Sequence, residues 1–172
     1  KNKDRPFFLY FGTNDVHVPR FPHPRFRGKT DMGHRGDAIV QFDWSVGEVV
    51  RALKEAGIFE RTLIILSSDN GPVVDDGYAD EAVARLKNHK PWGPFRGGKY
   101  STFEAGTRVP FIVHWPERVK AATSPALVSQ IDMTATLARL VGAKNIADIP
   151  ADSRDQLPAW LGKDLKGREY VI

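Results

Sequence analysis

Three short stretches of this chain place acid–base, metal-binding or anion-binding residue types where a reactive site could use them. Asn14-Asp15-Val16-His17-Val18-Pro19 contains an imidazole, which can hold a proton near neutral pH, donate to an oxyanion and protonate a departing oxygen. Taken alone, the same histidine also fits a loop residue bonded to backbone. Ser68-Asp69-Asn70-Gly71 sets a carboxylate beside a carboxamide. Those are hard oxygen donors, suited to Ca²⁺ or Mg²⁺ rather than zinc. Asp-Asn-Gly is also a common turn sequence. Two side chains cannot complete a calcium shell of about six to eight oxygens, so further ligands are required. Asp75-Asp76 read instead as the tip of a solvated loop.

The third stretch is Gly93-Pro94-Phe95-Arg96-Gly97-Gly98-Lys99-Tyr100. It has the spacing of a nucleotide-binding P-loop as far as the lysine. Tyr100 then stands where Ser or Thr must hold magnesium, and no apolar strand precedes the motif, which excludes that reading. What remains is a cation beside two glycines, where backbone can approach an anion closely. Lys99 is thus placed to hold an oxygen of a sulfate or phosphate, with Arg96 and His89 as further substrate-binding candidates on the same loop. Among the other histidines, His114 falls in a strand as a core or sheet-face residue, and His23 and His34 fall in polar loops. Asp43 lies mid-helix among apolar neighbours, as a buried hydrogen-bonding residue. The four tryptophans suit packing, although Trp92 lies in the same loop as Lys99.

These stretches need elements to position them, and the pattern alternates strand with helix. Phe7–Phe11 reads as a buried strand between Pro6 and Gly12. Ile39, Phe42, Val46, Val49, Val50 and Leu53 recur at helical spacing over about 37–56, with Gly57 suited to the helix C-terminus. Leu63–Leu66 and Val109–Trp115 read as two further strands. Residues 72–101 form a long polar loop with one short helix near 80–86, and loops of that length are usually functional. A second helix spans about 130–141, with Ser129 as N-cap and Asp132 three residues on. Residues 169–172 look like the start of another strand. This alternation predicts an α/β fold built on a largely parallel sheet, where ligands collect at the carboxyl ends of strands. His17 and the Asp69-Asn70 pair both follow strands.

Composition agrees with one globular domain. The 172 residues are 41% hydrophobic and 27% charged. Lys plus Arg number 25 against 21 Asp plus Glu, a formal charge of +4. That balance suits an anionic substrate as well as plain solubility, and the absence of a basic stripe argues against a nucleic-acid partner. There is no cysteine, so disulfides and thiolate metal sites are excluded. No apolar run is long enough to span a membrane. The chain opens on Lys1-Asn2-Lys3-Asp4-Arg5 and passes straight to the first apolar run, so its natural N-terminus is expected upstream.

The three motifs, in this order, resemble the later part of a type I, formylglycine-dependent sulfatase of the alkaline phosphatase superfamily. Pro6–Phe11, His17-x-Pro19, Thr62–Pro72 and Arg96–Pro110 running on to Trp115-Pro116 carry the resemblance, with lesser matches through Asp132 and Leu137 to Leu161-Gly162. It implies a mixed α/β sheet between helices, with residues 1–150 the later part of the catalytic domain and 151–172 the beginning of a small C-terminal subdomain. It implies Asp69 and Asn70 as Ca²⁺ ligands, with Mg²⁺ the less expected ion. It implies His17 as the group that contacts sulfate and protonates the leaving alcohol, and Lys99 as the lysine on the sulfate and leaving oxygens. Arg108 matches a motif position and is read as a loop buttress.

The resemblance further implies a sulfated saccharide substrate and a periplasmic or secreted location. Family members make formylglycine from Cys or Ser within a Cys/Ser-x-Pro-x-Arg motif, and this chain has neither Cys nor Ser-x-Pro-x-Arg. The nucleophile and the other acidic calcium ligands are therefore expected in an N-terminal segment outside this sequence. The segment alone is expected to be inactive. Two alternatives share the motifs: a phosphodiesterase or phosphonate hydrolase of the same superfamily, and a non-catalytic relative that binds sulfated glycan.

Overall fold

The structure is a computed structural model that describes residues 4–144 and 149–171. Its regular elements are helix α1 (Gly33–Glu55), strand β1 (Ile64–Ser67), helix α2 (Glu104–Thr107), strand β2 (Phe111–His114), helix α3 (Met133–Leu140) and helix α4 (Leu157–Trp160). Strands β1 and β2 are hydrogen-bonded neighbours in a two-stranded sheet. Helices and strands mix, as the alternating pattern predicts. The chain divides into two compact units, residues 1–59 with 66–112, and 60–65 with 113–172. No helix among the described residues is long and apolar enough to cross a membrane.

In the first unit, α1 organises the packing. The helix begins at Gly33, earlier than the hydrophobic periodicity predicts, and Asp37 ties the preceding turn to it. The Asp37 carboxylate, 2% exposed, accepts from the amides of Gly28 (2.7 Å) and Thr30 (2.9 Å) and from the Thr30 hydroxyl (3.1 Å). A turn at Pro24–Phe26 packs Phe26 against Trp44, with ring centroids 5.7 Å apart, and lays the Arg25 guanidinium 3.6 Å over the Trp44 ring. Gly57 takes φ +67° just past the helix end, the conformation a helix C-terminus asks of glycine.

In the second unit, the turn at Gln130–Asp132 leads into α3, and Ser129 and Asp132 form the capping box read from sequence. Asp132 is fully buried and carries more than a cap. Its carboxylate is gripped by the Arg168 guanidinium at 2.5 and 2.7 Å and by the Arg154 amide at 2.9 Å. Burial opposes ionisation of Asp132, but the Arg168 hydrogen bonds and the Arg154 amide outweigh it and hold the carboxyl below the usual range. Gln156 donates its amide to the buried Thr136 hydroxyl at 2.9 Å, anchoring the approach to α4.

Several expectations are corrected. Phe7–Phe11 is extended but forms no strand, and its side chains are 49–84% exposed. A strand needs a neighbour for its amides and carbonyls, and the described sheet holds only β1 and β2. Residues 80–86 form turns rather than a helix, bounded by Glu81 at φ +58° and Lys87 at φ +51°, left-handed conformations that break a helical run. Residues 169–171 form no strand, and residue 172 lies outside the described residues; the nearby pairing is an isolated parallel bridge between Leu127 and Gly167. Asp43 is exposed, on the solvent side of α1. His34 lies in α1 rather than a loop and stacks on Phe21 at 6.5 Å, while His23 accepts from the Arg25 amide at 3.4 Å.

Candidate active site

The site is assembled from two loops stitched together by their backbones. Gly71 donates its amide to the Gly106 carbonyl at 2.9 Å, and Lys99 donates its amide to the Pro72 carbonyl at 2.9 Å. These bonds fasten the end of the Asp69-Asn70 turn to the loop that carries Lys99. The approach is so close that a Cβ on Gly71 would lie 1.7 Å from the Ala105 carbonyl oxygen, and one on Gly98 2.7 Å from that of Pro72. The glycines around both motifs therefore serve backbone contact, not anion approach alone. The lysine loop is further closed by the Ser101 hydroxyl, which donates to the Gly98 carbonyl at 2.8 Å, and by Ala105 N–H on the Arg96 carbonyl at 3.0 Å.

The third component arrives from the loop before α1. His17 Nε2 lies 3.2 Å from Lys99 Nζ, although the two residues stand 82 positions apart. His17 Nδ1 lies 2.7 Å from the Val18 carbonyl, which can only accept, so Nδ1 carries the hydrogen and Nε2 presents its lone pair to the ammonium. The Asp15–Val16 and Val18–Pro19 peptides flanking this histidine are cis.

Two residues that the sequence reading passed over position His17. Gln41, on α1, donates its amide nitrogen to Asp15 at 2.9 Å and accepts from the His23 amide at 2.7 Å, clamping both arms of the loop. Arg20, 2% exposed at its side chain, pairs with Asp80 at 2.5 Å and reaches the Val16, Val73 and Val74 carbonyls. Burial works against an ionised Asp80, yet Arg20 and the Ala82 amide prevail and lower its pKa. Neither residue belongs to a recognisable motif. The only trace in the sequence was that Arg20 directly follows the His17-x-Pro19 motif.

Asp69 and Asn70 fit a hard cation as part of its shell. Asp69 is exposed, and its Oδ1 accepts from the Asn70 amide at 2.9 Å. The Asn70 Nδ2 donates to the Gly71 carbonyl at 2.8 Å, a bond that does not engage its amide oxygen. No group of three or more His, Cys, Asp or Glu placed to hold a metal occurs among the described residues. Among the described residues, Asp69 and Asn70 would therefore supply only part of such a shell.

The other candidates have surroundings of their own. Arg96 is exposed and lies 3.9 Å over the Phe103 ring, so its charge is held on the lysine loop. His89 is exposed, and no hydrogen bond joins its side chain to His17 or Lys99 among the described residues. Arg108 pairs with Glu104 at 2.9 Å and covers Phe95 at 4.7 Å, packing α2 against the loop. Asp76 accepts from the Tyr100 hydroxyl at 3.0 Å.

The histidine thus stands against the lysine, on a loop that the glycines fasten to the acid–amide turn. The family model described as Sulfatase matches residues 1–143, and the chain belongs to the sulfatase family. It is 53% identical over 171 residues to the N-acetylgalactosamine-6-O-sulfatase of Bacteroides thetaiotaomicron, covering 99% of this chain and 34% of that protein. It is 37% identical over 168 residues to the steryl-sulfatase of Rattus norvegicus, covering 94% of this chain and 28% of that protein. A solved structure from a study of glycosaminoglycan metabolism by Bacteroides thetaiotaomicron superposes with a TM-score of 0.94 at 54% identity, covering 98% of this chain and 35% of that one. The chain thus spans about a third of the length of the relatives it matches.

Proposed function

We propose that the full-length protein is a sulfuric ester hydrolase that removes sulfate from a sulfated saccharide, and that His17, Lys99, Asp69 and Asn70 are this chain's share of the active site. The observation that carries the reading is the 3.2 Å approach of His17 Nε2 to Lys99 Nζ at the edge of the Asp69-Asn70 loop. Similarity to an N-acetylgalactosamine-6-O-sulfatase supports a sugar rather than a steroid as substrate.

Lys99 supplies a fixed positive charge to the sulfate oxygens and to the oxygen that departs, an electrostatic role of the oxyanion-hole kind. His17 supplies the proton that the departing sugar hydroxyl needs, from Nε2, while Nδ1–H stays on the Val18 carbonyl and fixes the ring. A bound sulfate ester would offset the Lys99 ammonium that faces Nε2. Asp69 and Asn70 would hold part of a Ca²⁺ shell, and that ion, together with a formylglycine nucleophile, would supply Lewis-acid and nucleophilic chemistry to the sulfate. The remaining ligands and the nucleophile would come from outside this sequence. Family membership also favours a periplasmic or secreted enzyme.

Peptide mass spectrometry of the full-length protein tests the proposal. A Cys or Ser of a Cys/Ser-x-Pro-x-Arg motif converted to formylglycine is the expected result. An unmodified Thr or Ser nucleophile would move the protein to phosphoryl transfer, and no nucleophile at all would leave a glycan-binding protein.

A further inference from the structure

Lys99 and Tyr100 form the corner of a tight turn. The Ser101 amide donates to the Gly98 carbonyl at 3.1 Å, and Tyr100, third of the four residues, takes φ +73°. Lys99, at the second position, keeps a negative φ. That combination is a type II turn, whose third position needs a left-handed backbone and is normally given to glycine or asparagine. A bulky residue there is strained, and strain of this kind gathers at functional sites. Ser101 closes the turn a second time. Its hydroxyl accepts from the Gly98 amide at 3.2 Å and donates to the Gly98 carbonyl at 2.8 Å, which holds the backbone in this conformation.

The strained position sets an aromatic ring beside the reactive centre. Lys99 Nζ lies 5.3 Å from the centroid of the Tyr100 ring and 3.2 Å from His17 Nε2, so the ammonium faces both side chains. Tyr100 is 80% exposed, so core packing does not account for its ring. The ring is nevertheless tied down, because its hydroxyl donates to Asp76 at 3.0 Å. Fixed at one end by the turn and at the other by a carboxylate, it has little side-chain freedom left to lose when a ligand packs on it.

Distance limits what the ring can touch. An anionic oxygen held by the Lys99 ammonium sits about 2.7–2.9 Å from Nζ. The carbon esterified through a sulfate on that lysine lies only bonds further, within reach of a ring centred 5.3 Å from the same nitrogen. A tyrosine face offers rigid, amphipathic area, suited to the C–H side of a sugar.

We propose that Tyr100 is a specificity-determining residue, whose exposed face packs against the sugar that carries the scissile sulfate while Lys99 holds the sulfate itself. Tyr100 reads the sugar and not the anion, so a sulfate without a sugar is bound without its help. The sugar as ligand rests on the proposed function; the strained, tethered and exposed ring beside Lys99 does not.

Titration calorimetry on the full-length protein with a panel of neutral monosaccharides (hexoses and N-acetylhexosamines) and, separately, with inorganic sulfate tests the assignment. Tyr100→Gly is expected to weaken the tightest-bound monosaccharide at least about fivefold and to leave sulfate within about twofold. Glycine suits the left-handed position, so the variant is expected to keep or raise its urea midpoint. Tyr100→Phe keeps the ring but loses the tether to Asp76, and is expected to fall between the two. Unchanged sugar binding in Tyr100→Gly overturns the proposal, as does the absence of any sugar binding by the unmutated protein. Equal weakening of sugar and sulfate overturns it too, by showing that Tyr100 serves Lys99 alone, and a lowered urea midpoint would assign the ring to the fold. Sulfate release is scored separately: its absence with Tyr100-dependent sugar binding contradicts the sulfatase reading alone, and release with sugar binding indifferent to Tyr100 contradicts this proposal alone.

Discussion

At the scale of single residues, the hydrogen bonds of His17 assign its two nitrogens different tasks. Nδ1 is occupied by the Val18 carbonyl, so Nε2 is the nitrogen free to exchange a proton at the site. His17→Ala in the full-length protein is expected to lower kcat for sulfate release by about 10²–10⁴ while moving KM little, because a general acid acts mainly in the transition state. Steady-state kinetics with a sulfated saccharide checks this, and a change confined to KM would make His17 a binding residue only. His17, Lys99 and the Asp69-Asn70 pair stand out in the sequence because each sits in a short motif, and the structure brings His17 within 3.2 Å of Lys99. Gln41 and Arg20 do not stand out. Their roles depend on partners up to 60 positions away, and no local pattern marks a glutamine on a helix or a buried arginine as a clamp.

At the scale of elements, the site depends on backbone contact between the 69–72 turn and the 96–106 loop. Gly71→Ala would drive a methyl group into the Ala105 carbonyl oxygen, which belongs to a backbone that must move to relieve it. The expected outcome is a displaced lysine loop, loss of sulfate release, and destabilisation of at least ~1–3 kcal/mol, the usual cost of overpacking. Paired urea denaturation and activity measurements would check it. An alanine variant with normal stability and activity would show that the two loops are not stitched as described.

Helix α1, the core of both strands and the turn into α3 were readable from periodicity, caps and apolar runs. The Phe7–Phe11 segment was not, since its apolar run meets the same criteria as β1 yet finds no strand beside it among the described residues. The turn at 80–86 misled for a different reason. Its composition suits a helix, but Arg20 takes Asp80 as a partner and the chain bends around that pair.

At the scale of the whole molecule, the ion pairs that hold each unit together set its response to acid. Asp132 has a folded pKa below its unfolded value of about 3.9, so its contribution is present above that pH and is lost as pH falls through the lower folded value. Urea midpoints of the full-length protein are expected to fall between about pH 5 and pH 2. Arg168→Met is expected to cost about 3–5 kcal/mol at neutral pH by leaving a buried carboxylate unpaired, and to weaken or reverse that acid-side fall. An unchanged pH profile in the variant would remove Asp132 from the explanation. The fold class and family were legible from motifs that run along most of the chain, whereas the division into two units reflects contacts that no single stretch encodes.

The measurement that bears most directly on the proposed function is release of inorganic sulfate from a sulfated saccharide by the full-length protein, compared with its Lys99→Ala variant. The unmutated protein should release sulfate in preference to phosphate from a matched ester. The variant should lose at least about 10²-fold in kcat, as expected when one charge that stabilises the transition state is removed. Equal rates for protein and variant, or preferential release of phosphate, would contradict a sulfate site built around His17 and Lys99.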